Sequence, residues 1–256
     1  VRLHLTDEGP RDAGTPLVLL CSLGSTVDMW SPQREELARE RRVVTVDTRG
    51  HGGSPVPDGP YTVPELAEDV LETLTDLGVE RADFAGVSLG GAVGQAIALR
   101  APGRTASLAL LCTAARFGNL ATFTDRASRA RSEGMDAIAD GVVTRWFTDD
   151  FARADPDTVS RMRDMIAATP PEGYAGCCEA IVAWDSRDDL GRIAAPTLVV
   201  SGAEDPATPP DDGRLLADGI PGARFEVVPD AAHLASYQRP EIVTGLLAAH
   251  LKDSGT

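Results

Sequence analysis

The chain of 256 residues is long enough for one α/β domain with a sizeable core and an inserted segment. Its 43% apolar and 25% charged residues fit a globular protein in water; no apolar run nears the roughly 20 residues that cross a bilayer, and no signal-peptide pattern opens it. A formal charge of −15 argues against nucleic acid and anionic membrane surfaces as partners, and it obliges any anionic substrate to meet a local basic group.

Val1 to Leu5 alternates apolar and polar residues and predicts a strand, ended by Glu8-Gly9-Pro10. Leu17 to Leu20 is a continuous apolar run behind Pro16, the pattern of a strand buried on both faces, and Cys21-Ser22-Leu23-Gly24-Ser25-Thr26 forms a small-residue loop at its carboxyl end. Ser31-Pro32 opens a helix to about Glu40, Val43 to Val46 is the next strand, and Asp47-Thr48-Arg49-Gly50-His51-Gly52 follows as a turn. Thr62 caps a helix whose apolar spacing runs through Leu77, with Gly78 as its stop.

Phe84-Ala85-Gly86-Val87-Ser88-Leu89-Gly90-Gly91 then reads G-x-S-x-G, between an apolar run from Ala82 and a helix of small residues to Arg100. Strand, tight turn and helix are the context a nucleophile elbow requires, and the glycines let strand and helix approach. Alone, the pattern also fits a glycine-bearing turn with an ordinary surface serine. Ala106 to Cys112 is another buried strand. From Thr113 to about Arg192 the alternation stops. Met135, Ile138, Val142 and Trp146 form one apolar stripe, and Asp155-Pro156 and Pro170-Pro171 open two more helices. Strands resume at Pro196 to Val200 and at Arg224 to Val228, each with a loop and helix after it, the last helix running from about Pro240 to Leu251. These elements predict an α/β fold with a mostly parallel sheet and helices on both faces. Residues 1–112 and 193–256 form its core, and 113–192 an all-helical cap inserted over the strand ends.

Ser88, Asp205 and His233 fall, in that order, at the carboxyl ends of predicted strands. A serine hydroxyl is a weak nucleophile until a base takes its proton, imidazole can take and return that proton, and a carboxylate fixes the imidazole tautomer. Each residue alone has an ordinary explanation as a surface serine, a turn carboxylate or a loop histidine. Their joint type, order and position argue for a catalytic set. Asp230 is the rival acid, three residues before His233 and poorly placed to orient it. His4 and His250 read as surface residues, and His51 as part of a structural turn. An oxyanion hole needs two donors, for which the backbone N–H groups of Leu89 and Leu23 are the positional candidates. Cys21, Cys112, Cys177 and Cys178 lack metal-ligand spacing and read as buried small hydrophobes of a reducing, cytoplasmic compartment. Neither a metal nor a cofactor is called for.

Over its whole length the chain resembles the α/β-hydrolase superfamily, which uses the order serine, acid, histidine. Ser22-Leu23-Gly24, Arg145-Trp146-Phe147-Thr148, Tyr174-Ala175-Gly176-Cys177-Cys178 and Gly202-Ala203-Glu204-Asp205 carry a closer resemblance to 3-oxoadipate enol-lactonases. From the abrupt start, the first strand of the superfamily sheet is expected to be missing from this sequence. The resemblance implies the α/β-hydrolase fold and hydrolysis of 3-oxoadipate enol-lactone in aromatic-acid catabolism (the β-ketoadipate pathway) through an acyl-enzyme at Ser88. It also implies that Trp146 lines the pocket at the cap–sheet boundary, whereas the apolar stripe itself predicts a core residue. Because the implied substrate is an anion, Arg145 and Arg116 are candidates to hold its carboxylate. Some actinobacterial relatives are fused to a 4-carboxymuconolactone decarboxylase, so fusion to or association with such a domain is a further expectation. The same scaffold serves carboxylesterases, cofactor-free perhydrolases, carbon–carbon bond hydrolases and non-catalytic ligand receptors, and fold alone does not choose among them.

Overall fold

The computed structural model describes residues 1–253. Seven strands form one sheet in the order β1-β3-β2-β4-β5-β6-β7: β1 Leu5–Glu8, β2 Leu17–Leu20, β3 Val43–Val46, β4 Ala82–Val87, β5 Thr105–Leu111, β6 Thr197–Gly202 and β7 Arg224–Val228. Only β1 runs antiparallel, against β3; every other pairing is parallel. Strands β2 to β6 are buried at every residue, which matches their continuous apolar runs and requires helices on both faces. The mostly parallel sheet and flanking helices read from the sequence are those observed.

The helices of this framework are α1 Ser31–Leu37, α2 Val63–Asp76 and α3 Leu89–Arg100. Thr62 and Glu65 make a reciprocal capping box at α2, and Gly78 ends it at a φ of 69°. Between β5 and β6 the described residues contain five α-helices and no strand: α4 Leu120–Glu133, α5 Asp136–Val143, α6 Asp149–Ala154, α7 Pro156–Ala167 and α8 Pro171–Ala183. Here α4 packs on α8 and α5 on α7. The chain closes with α9 Pro210–Gly219, a one-turn α10 Ala235–Gln238, which the sequence pattern did not reveal, and α11 Pro240–Asp253. No helix of the described residues is long and apolar enough to cross a membrane.

Two expectations need correction. The first strand lies at Leu5–Glu8 and not Val1–Leu5, because Leu3 and His4 donate their amides to the side chains of Thr73 and Ser54 and not to a ladder. His250 is buried, 3% exposed, with Nε2 lying 3.1 Å from the Leu108 carbonyl oxygen. It belongs to the face of α11 turned toward the sheet, on the stripe of Val243, Leu247 and Leu251 whose helical spacing the sequence already shows.

Candidate active site

Ser88 sits between β4 and α3 at φ 55° and ψ −114°, a strained conformation for a residue with a side chain, costing about 1–3 kcal/mol. The surrounding packing enforces it. A Cβ on Gly86 would stand 2.2 Å from the Gly90 carbonyl oxygen, and one on Gly90 would stand 2.4 Å from that of Leu20. Strand and helix can therefore meet only through glycine. The Ser88 amide donates to the Leu111 carbonyl at 3.0 Å, and Thr113 Oγ1 donates to the Ser88 carbonyl at 2.7 Å, so the turn is anchored on β5 as well.

Asp205 lies in the loop after β6 and His233 in the loop after β7. The Asp205 carboxylate is fully buried and accepts four hydrogen bonds. Oδ1 receives the amides of Ala207 and Thr208 at 2.8 and 3.1 Å; Oδ2 receives Thr208 Oγ1 and His233 Nδ1, both at 2.8 Å. Burial raises its pKa, but the His233 charge and hydrogen bond and the two loop amides outweigh that, holding the carboxyl below its usual range. An ionised carboxylate only accepts, so in the neutral form of the imidazole the proton sits on Nδ1 and the lone pair on Nε2.

Ser88 and His233 line the same small cavity, of about 30 Å³, together with Ser22, Leu23, Tyr174, Trp146, Arg145 and Arg126. That volume has room for about two waters. Leu89 begins α3, where an amide has no acceptor within its own helix. On the other side, the loop after β2 donates Ser22 N–H to Met29 Sδ at 3.2 Å and Gly24 N–H to His51 Nε2 at 2.9 Å. Leu23 N–H, between them, has no acceptor among the described residues. His51 is the support of this loop. Burial lowers its pKa to about 4, so at neutral pH its Nε2 is an acceptor.

The remaining expectations divide. Trp146 is both buried, at 2% exposure, and a wall of the cavity, so the two readings of it coincide. Arg145 lines the cavity. Partial burial, and next Arg126, lower the Arg145 pKa. Arg116 does not line the cavity: the coil after β5 turns Phe117 inward and leaves Arg116 46% exposed, 3.6 Å from Asp185. Asp230 is likewise outside, with its side chain 76% exposed and paired to Arg239. Burial pushes the thiols of Cys21, Cys112, Cys177 and Cys178 up, which leaves none of them a ready nucleophile. Four contributors escaped the sequence reading. Arg126 lies on the strongly polar α4, where one more arginine carries no signal. Tyr174 lines the cavity with its hydroxyl buried beside the Arg126 guanidinium and without a well-formed hydrogen bond. Thr208 was legible as an Asp-x-x-Thr turn. Gln238 bonds the backbone of nearby Asp230 and Ala232 and, 90 residues away, Thr148.

Comparison with known proteins gives the same framework. The α/β hydrolase fold family model matches residues 15–240. "3-oxoadipate enol-lactonase 2" of Acinetobacter baylyi is 36% identical over 92% of this chain and 88% of its own length. The crystal structure of the enol-lactonase from Burkholderia xenovorans LB400 superposes with a TM-score of 0.95 at 42% identity, covering 98% of this chain and 96% of that one. A thermophilic esterase from Thermogutta terrifontis, solved with malate bound, superposes with a TM-score of 0.93 at 34% identity, covering 99% and 94%. With the match spanning most of the chain and a glycine-locked serine between the central strand and its helix, this protein belongs to the α/β-hydrolase fold family.

Proposed function

We propose that this protein is a serine hydrolase that opens 3-oxoadipate enol-lactone to 3-oxoadipate. The observation that carries the reading is the shared cavity: Ser88 and His233 line it together with two arginines, Arg126 and Arg145, and Asp205 holds His233 from behind it. Ser88 Oγ attacks the lactone carbonyl while His233 Nε2 takes its proton. The oxyanion is met by the N–H groups of Leu23 and Leu89 at the amino end of α3. The ring C–O bond then breaks. His233 returns the proton to the leaving enol oxygen, and the enol becomes a ketone. Water, deprotonated by His233, cleaves the Ser88 ester and releases the dicarboxylate. The helices of residues 113–192 act as a cap that closes over the substrate. Similarity to two enol-lactonases supports this substrate.

The substrate's carboxylate arm distinguishes this reading from a broad carboxylesterase, the second reading, which the Thermogutta terrifontis relative favours. Arg126 and Arg145 supply positive charge at the cavity wall, and the Tyr174 hydroxyl, with Arg126 beside its oxygen, keeps a proton that a substrate oxygen would accept. A charge-assisted contact is worth about 1.5–3 kcal/mol, so the free acid should open roughly 10- to 150-fold faster in kcat/KM than its methyl ester. Arg126→Ala or Arg145→Ala should shrink that preference. The assay compares the acid lactone, its methyl ester, a saturated lactone and p-nitrophenyl acetate. Equal rates for acid and ester would move the esterase reading ahead.

A further inference from the structure

Gln238 lies at the end of α10, five residues beyond His233, and is 6% exposed. Its amide uses all four of its hydrogen-bonding positions. Oε1 accepts the amides of Ala232 at 3.1 Å and Thr148 at 3.3 Å; Nε2 donates to the Asp230 carbonyl at 2.9 Å and to Thr148 Oγ1 at 2.7 Å. Two backbone donors on one side and a backbone acceptor on the other permit only this orientation of the amide. Two of the partners belong to the loop that carries His233. The other two belong to Thr148, which N-caps α6 and ends the turn holding Arg145 and Trp146.

The same turn meets the histidine loop directly. His233 N–H donates to the Arg145 carbonyl at 3.4 Å and Leu234 N–H to that of Trp146 at 2.9 Å. The first of these is long, so the amide of Gln238 supplies much of the connection. The histidine loop has separate support from below, where Glu204 N–H donates to the Ala231 carbonyl at 2.9 Å. Loss of Gln238 would therefore leave His233 near Asp205 and free the cap turn to shift against it.

We propose that Gln238 is a positioning residue that registers Arg145 and Trp146 against His233, so that a substrate held by the cap arrives aligned with the proton-transferring imidazole. This rests on the hydrolase reading above. Displacement of about 1 Å between a binding group and the reacting centre can cost on the order of 100-fold in rate. The test is kinetic. Gln238→Leu should lower kcat/KM for the free-acid lactone by about 10-fold or more and its acid-over-ester preference by about 3-fold or more. Its turnover of p-nitrophenyl acetate, which has no carboxylate to hold, should fall less. A residue needed only for stability would lower the melting temperature and leave the preference of the folded enzyme unchanged. If Gln238→Leu does not fold, Thr148→Val decides, with the same loss expected and recovery in Thr148→Ser. A wild-type preference retained in the folded variant overturns the inference alone. A native enzyme that opens acid and ester alike overturns the functional reading and this inference with it.

Discussion

Asp205 and Asp230 both precede His233 in strand-end loops, and what separates them is burial and the company of donors. Four donors converge on Asp205, whereas the Asp230 side chain faces solvent beside Arg239. Asp205→Asn should hold the wrong imidazole tautomer and lower kcat by about 10⁴, while Asp230→Asn should cost much less. Reversed effects in steady-state assays would reassign the acid. His51 makes a second test at this scale. Its pKa is about 4 in the fold, against about 6.5 in an unfolded chain. Between those values the unfolded state binds more protons, so stability is undiminished above about pH 6.5 and falls by about 3 kcal/mol as pH drops toward 4. His51→Gln, which can still accept from Gly24, should flatten that slope in urea titrations across the same range. An unchanged slope would mean that another group carries it. The strand-end placement of Ser88, Asp205 and His233 was legible because the chemistry proposed for them constrains type, order and position together. Arg126 and Gln238 were not, since their roles depend on which helix face turns inward and on partners 90 residues distant in sequence.

At the scale of elements, the elbow shows local preference and packing pulling in opposite directions. Gly90 lies in the first turn of α3, where helix propensity alone would favour alanine by about 1 kcal/mol. Packing predicts the reverse. The added Cβ would press on the Leu20 carbonyl oxygen at 2.4 Å, and backbone cannot rotate aside as a side chain can. Gly90→Ala should therefore destabilise by about 3 kcal/mol or more, read as a lowered urea midpoint. A raised midpoint would mean that β2 and α3 have room to part. The strands and most helices could be read from apolar runs and caps, as at Thr62 with Glu65. The first strand and α10 could not. One is shifted by side chains of distant elements, and the other is a single turn too short for any periodicity.

For the whole molecule, the charge of −15 opposes an anionic substrate at long range, while Arg126 and Arg145 attract it only near the site. Salt screens the distant field more than the partly buried contact, the Debye length falling from about 30 Å at 0.01 M to about 8 Å at 0.15 M. The acid-over-ester preference should hold or rise with salt over that range. A steep fall would place the recognition in exposed charges elsewhere. The order of strands and the helical break after β5 foretold the architecture, but not how α4, α5 and α8 close the cavity, because apolar stripes say which face is buried and not against what. Whether Ser88 is the nucleophile is read most directly from enol-lactone opening by Ser88→Ala beside the native enzyme. The folded variant should show a kcat lower by about 10⁴ to 10⁶. A folded variant keeping more than about a tenth of the native rate would contradict it, since a nucleophile acting with its base cannot be removed so cheaply.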